Sequence, residues 1–130
     1  MNIWTNGCFD IVHMGHIELF KYASSLGRLY VGIDSDQRVK LLKGLGRPIN
    51  EQNQRSQLLS SIKYIHKVDI FDDEKTLRSL LVDYNIDTIV VGDDYINKQV
   101  VGSDLVNNVL FFPKIPNLST SSILDERNRI

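Results

Sequence analysis

The segment Asn6-Gly7-Cys8-Phe9-Asp10-Ile11-Val12-His13-Met14-Gly15-His16 places two imidazoles three residues apart with a glycine between them. On a helix that spacing turns both rings to one side. A short apolar run, Ile3 to Thr5, precedes the segment, and Ile17, Phe20 and Ala23 follow at inward-facing positions, so a helix is expected to begin near His13 to Gly15. A helix start at the end of a strand presents unpaired N–H groups and a positive dipole end, which together attract phosphate. Gly7 suits a tight turn or a close backbone approach, and Gly15 leaves room for a bulky phosphate chain. The same histidine pair also fits a capped helix start, or a metal site short of its remaining ligands.

Three downstream segments carry further groups of this kind. Lys40, Lys43, Arg47 and Arg55 lie in or around Leu42-Lys43-Gly44-Leu45-Gly46-Arg47-Pro48, a glycine-containing cationic loop that is either a solvated surface or a lid over phosphates. Gly92-Asp93-Asp94-Tyr95 follows the apolar run Thr88 to Val91 and reads as a turn with two acids. Ser119, Thr120 and Ser121 stand before Ile123, a hydroxyl cluster that would cap a helix and could serve as a second phosphate site.

The elements that must hold these groups alternate from end to end. Candidate strands are Ile3 to Thr5, Leu29 to Ile33, Val68 to Phe71, Thr88 to Val91 and Val109 to Phe112. They are short, apolar runs of the kind found in strands buried on both faces. Between them, Leu58, Leu59, Ile62 and Ile65 mark one helical face, and Leu77, Leu80, Leu81 and Tyr84 another. Asp34-Ser35-Asp36 and Asn50 are candidate N-caps. The pattern predicts an α/β, Rossmann-like three-layer sandwich with a five-stranded parallel sheet, formed as one domain over residues 1–130. Ligands of such a sheet bind at the carboxyl ends of its strands, where the strand order reverses.

The string Gly-x-Phe-Asp-x-x-His-x-Gly-His resembles the signature of the cytidylyltransferase-like nucleotidyltransferases, of the HIGH-motif superfamily. The resemblance implies that His13 and His16 bind the triphosphate and stabilise the α-phosphorus in an in-line displacement. It implies that Gly7, Cys8, Phe9 and Gly15 line the nucleotide site and that Asp10 holds the loop. The Lys-Gly-x-Gly-Arg-Pro stretch is similar to heptose 1-phosphate adenylyltransferase domains. By that likeness Lys43 and Arg55 act on phosphate at the reacting centre, with Lys40 and Arg47 assisting at the substrate. Gly92 and Asp94 would sit beside the base and Asp93 beside the acceptor. The Gly-Asp-Asp form is closer to glycerol-3-phosphate cytidylyltransferases, whereas Val100 to Val106 again resembles the heptose enzymes. Ser119, Thr120 and Ser121 match a motif that binds nucleotide phosphates.

The implied reaction transfers a nucleotide from ATP to heptose 1-phosphate, releasing pyrophosphate, with Mg²⁺ held through the nucleotide phosphates and no metal site of the protein's own. CTP with glycerol 3-phosphate is the near alternative, and a non-catalytic nucleotide-binding module is the alternative of another class. The net charge of −1 offers no basic field for nucleic acid. No apolar run approaches the roughly 20 residues of a membrane span, and the N-terminus lacks a signal peptide's features. With a single cysteine, a cytoplasmic protein is expected. Relatives of this kind imply a homodimer.

Overall fold

The structure, a computed structural model, describes residues 1–113, and for Asp94 the backbone alone. Ser119, Thr120 and Ser121 lie outside the described residues. In chain order the elements are β1 (Asn2–Gly7), α1 (Met14–Leu26), β2 (Arg28–Asp34), α2 (Asp36–Lys43), α3 (Gln52–Ser60), β3 (Lys67–Phe71), α4 (Glu74–Asp83), β4 (Thr88–Gly92) and β5 (Asn108–Phe112). Short 3₁₀ turns occupy Asp93–Tyr95 and Ser103–Leu105. Each expected strand is present, extended by one to three residues. Among the described residues no helix is long and apolar enough to cross a membrane.

The strands form one parallel sheet in the order β3-β2-β1-β4-β5. Side chains alternate between its faces, as the strand repeat requires. Ile3, Leu29, Val31, Ile33 and Val90 pack on one face with Phe20 and Ala23 of α1 and Leu59 of α3. Trp4, Tyr30, Ile89 and Val91 pack on the other with Leu77 and Leu81 of α4. The strand order reverses at β1, whose neighbours are β2 and β4. The β1–β4 ladder is confined to Ile3–Thr88 and Trp4–Ile89, so the two strands part towards their carboxyl ends and open the crevice predicted there.

Two local expectations are corrected. The helix after Pro48 stops at Ser60, and Ile62 and Ile65 reach the core from the turns that follow it. Leu58 is 51% exposed, so the apolar spacing did not mark a single buried helical face. The Ser61 hydroxyl donates to the Gln57 carbonyl, and this local side-chain bond accompanies the end of the helix. The cap of α3 is Glu51, whose carboxylate accepts from the Gln54 N–H at 2.9 Å. Asn50 instead turns its side chain to the β1–α1 turn, donating from Nδ2 to the Asp10 carbonyl at 2.6 Å. Ser35 caps α2 as expected, accepting from the Arg38 N–H.

Gly32 is a packing necessity. A Cβ there would run into the indole of Trp4 and lie 3.2 Å from the Phe71 ring. Gly32→Ala is therefore expected to cost about 1–3 kcal/mol through overpacking, read as a lower urea midpoint with an unchanged slope. A midpoint equal to wild type would refute the tight fit of Trp4 over β2.

Candidate active site

The β1–α1 turn begins with backbone held in a sparsely populated region. Phe9 has φ +50°, the left-handed conformation that bulky residues rarely adopt. Surrounding contacts enforce it: a Cβ on Gly7 would lie 3.3 Å from the Phe9 ring, and that ring packs on Phe20 with centroids 5.3 Å apart. The Phe9 edge also meets the face of His16 at 5.1 Å and 80°.

His13 and His16 cap α1 reciprocally. His13 is the N-cap, and its Nδ1 accepts from the Gly15 N–H at 3.1 Å. His16 Nδ1 accepts from the His13 N–H at 3.2 Å. The rings stack with centroids 3.8 Å apart and planes 23° from parallel. A nitrogen that accepts a hydrogen bond carries its lone pair there, so in each ring the N–H lies on Nε2. The capped helix start, which the sequence left as an alternative to phosphate binding, is thus the device that sets both tautomers. Two Nε2–H donors are held rigidly at the positive end of α1.

His16 is kept neutral. Burial, then the electrostatic influence of His13 and Lys43, lowers its pKa from 6.5 to about 4. Between pH 6.5 and 4 the unfolded chain binds a proton that the folded chain refuses, so stability falls as pH drops through this window. The loss by pH 4 is on the order of 3 kcal/mol. A pH titration followed by NMR should show the His16 ring unprotonated at pH 5; a midpoint near 6.5 would contradict the packing described.

The cations divide into distinct roles. Lys43 ends α2 on the exposed side, close enough to draw down the pKa of both Cys8 and His16. Burial outweighs that pull at Cys8, whose thiol is pushed up and stays neutral behind the turn. Arg47 donates from Nε to Asp10 at 3.0 Å, while its Nη2 is buried with no partner among the described residues. Such orphaned donors are rare and mark places where an acceptor is missing. Lys40 faces a separate groove of about 570 Å³ with Ser35, Gln52 and Asp72, away from the histidine pair. The structure does not bring it to the same place as His13 and His16.

Arg55 requires a correction. It was expected to contact phosphate from a mobile loop, but it lies in α3 at 1% exposure. Its Nη1 donates to the Cys8 carbonyl at 2.8 Å and to the Asp34 carbonyl at 2.7 Å. Nε donates to the Asn50 carbonyl at 3.0 Å, and Nη2 to Asp36 at 2.8 Å. Its donors are committed to the protein, so Arg55 positions the β1–α1 turn from behind.

Asp10 braces the turn from the other side, as expected of it. Its carboxylate accepts from the Ile49 and Asn50 N–H groups at 2.8 Å each, as well as from Arg47. Burial alone would raise its pKa, but these donors hold it below the usual carboxylate value. At the far side of the crevice Gly92 ends β4, and Asp93 sits half-buried in the 3₁₀ turn that also holds Asp94. The turn is therefore at the predicted carboxyl edge of the sheet, on the strand next to β1.

Comparison with known proteins now bears on the site. The family model described as cytidylyltransferase-like matches residues 4–123. The chain belongs to the cytidylyltransferase-like family. The bifunctional protein HldE of Campylobacter fetus is 40% identical over 125 residues, which are 95% of this chain and 27% of that protein. HldE of Campylobacter concisus is 43% identical over 123 residues, 94% of this chain and 26% of the relative. The chain thus spans about a quarter of the length of these curated relatives. The crystal structure of the lipopolysaccharide core biosynthesis protein from Thermoplasma volcanium superposes with a TM-score of 0.71 at 26% identity. That match covers 88% of this chain and 98% of the other.

Within the family match lie both histidines, the Asp10–Arg47 and Arg55 braces and the Gly92 turn. Sequence reasoning passed over one polar residue at this edge, Asn6 of β1. The available signal was an amide between the apolar run Ile3 to Thr5 and Gly7.

Proposed function

We propose that the protein transfers a nucleotide from an NTP to a small phosphorylated sugar or polyol, with ATP and heptose 1-phosphate as the substrate pair. The observation that carries this reading is the reciprocal His13–His16 cap, which turns two Nε2–H donors to the switch point of a parallel sheet. Transfer at phosphorus needs alignment and charge neutralisation more than a nucleophilic side chain. An oxygen of the acceptor phosphate attacks the α-phosphorus; the new O–P bond forms as the bond to the β-phosphate oxygen breaks, and pyrophosphate leaves. His13, His16 and Lys43 bear on the charge that develops, and preorganised donors of this kind contribute strongly. Arg47 Nη2 supplies a buried donor with no acceptor among the described residues. Gly7, Cys8, Phe9 and Gly15 line the nucleotide, Gly92 and Asp94 lie beside the base, and Asp93 lies beside the acceptor. Ser119, Thr120 and Ser121 complete the phosphate site.

Mg²⁺ enters this reading with the nucleotide. In this reading phosphate oxygens of the nucleotide would be its main ligands. The ion supplies charge neutralisation on the phosphates. The reaction belongs in the cytoplasm, where nucleoside triphosphates are available and a lone cysteine stays reduced. The same reading includes a homodimer: Leu41, Leu42, Leu45 and Ile49 leave an exposed apolar surface at the end of α2 that a second copy would cover.

Pyrophosphate release is measured with Mg²⁺, each of ATP and CTP, and each of heptose 1-phosphate and glycerol 3-phosphate. Release is expected with ATP and heptose 1-phosphate, in line with the similarity to HldE over almost the whole chain. Release only with CTP and glycerol 3-phosphate would replace the substrates and keep the reaction. NTP binding without release from any pair would make the chain a binding module.

A further inference from the structure

Asn6 is the penultimate residue of β1, half-buried, two positions beyond Trp4 and so on the same face of the sheet. The Trp4 indole, fully buried, donates from Nε1 to Asn6 Oδ1 at 3.0 Å. An indole nitrogen can only donate, so this bond fixes which end of the amide is oxygen. The Nδ2 end must then point away from the indole. Among the described residues no group accepts from it. The register partner of Asn6 on β2 is Gly32, the residue whose missing Cβ leaves space for the Trp4 ring. On the other side, β1 and β4 have already parted beyond Trp4–Ile89, so Asn6 stands where the crevice opens. One residue further on, Gly7 leads into the turn that carries the histidine pair.

We infer that Asn6 is a further substrate-binding residue, its Nδ2 amide donating to a phosphate oxygen in the crevice, with Trp4 and Gly32 as positioning residues. This rests on the nucleotidyltransferase reading. With its carbonyl turned to the indole, the amide offers the crevice a donor of fixed direction, which suits phosphate oxygens because they only accept. The oxygen belongs either to the NTP or to the acceptor phosphate, and the experiment separates the two.

Asn6→Asp keeps the shape and the oxygen that accepts from Trp4 but replaces the donor by a negative charge. A purely structural Asn6 would tolerate the change. A substrate-binding Asn6 would not, and kcat/KM for pyrophosphate release should fall about 100-fold, as expected when a hydrogen bond to a charged group is lost. Calorimetric titrations of wild type and variant with ATP, heptose 1-phosphate and glycerol 3-phosphate assign the oxygen. Weaker ATP binding alone marks the nucleotide, and weaker sugar or polyol phosphate binding alone marks the acceptor. Activity and all affinities within threefold of wild type overturn the inference.

If the wild type releases no pyrophosphate, the reaction reading fails, yet the affinities still judge Asn6: a loss supports the contact and equality removes it. If the variant does not fold, the Asn6 side-chain amide is followed in ¹⁵N-asparagine-labelled wild type. Its Nδ2 resonances should shift on saturation with one of the three phosphates. No shift with any of them overturns the inference.

Discussion

Replacing His16 with Gln should lower turnover by roughly two to four orders of magnitude while the fold persists, the size seen when a preorganised donor at a developing charge is removed. Gln is chosen because at the third position of a helix its side chain can reach back to the N-cap N–H, as the Nδ1 of His16 does. The variant therefore keeps the cap and loses the stacked imidazole with its fixed donor; the Gln amide still has N–H donors, but no ring stacking holds them in place. His16→Ala would lose both, adding about 1 kcal/mol of destabilisation to the loss of activity. The comparison separates capping from chemistry. Steady-state pyrophosphate release and a thermal melt on both variants provide the check. If His16→Gln retains activity within threefold of wild type, the imidazole is only a cap and the mechanism falls.

Arg55→Met should cost about 3–5 kcal/mol, because it leaves the Asp36 carboxylate and the carbonyls of Cys8, Asp34 and Asn50 without the donor they share. That is a large part of the 5–15 kcal/mol by which a domain is ordinarily stable, so the variant is expected to be partly unfolded near body temperature. Arg55→Lys should recover little of it. One ammonium cannot reach four acceptors arranged for a planar fork. Urea unfolding followed by circular dichroism reads the effect. An arginine that gripped phosphate from a mobile loop would behave oppositely, leaving the midpoint unchanged and raising the KM for NTP. That outcome would restore the expectation drawn from the sequence.

The two variants show where local and distant information part. The capping role of His13 and His16 depends on atoms within three residues, and the strand-to-helix turn around them was legible without coordinates. The same is true of the five strands. Short apolar runs bounded by polar residues can bury both faces in few other ways, so the chain alone specified a parallel sheet and the edge at which its ligands would sit. The bracing role of Asp10 was reached only through the family resemblance, since its donors Arg47, Ile49 and Asn50 lie 37 to 40 positions away.

Arg55 was not legible, because a cation in a polar stretch looks the same whether solvent or protein receives it. Its partners Cys8, Asp34 and Asp36 lie 47, 21 and 19 positions away, and only the folded sheet gathers them around one guanidinium. Lys40 and Lys43 are likewise neighbours on one helix whose surroundings differ, with Lys40 on an outer groove and Lys43 near the histidines. Asn6 gains meaning only from an indole on its own face and a glycine on the next strand. Sequence alone therefore determined the sheet, the turn and the residue types able to hold phosphate. Tertiary structure decided which of those residues face the crevice and which hold it open, because that choice depends on partners the chain brings together only by folding.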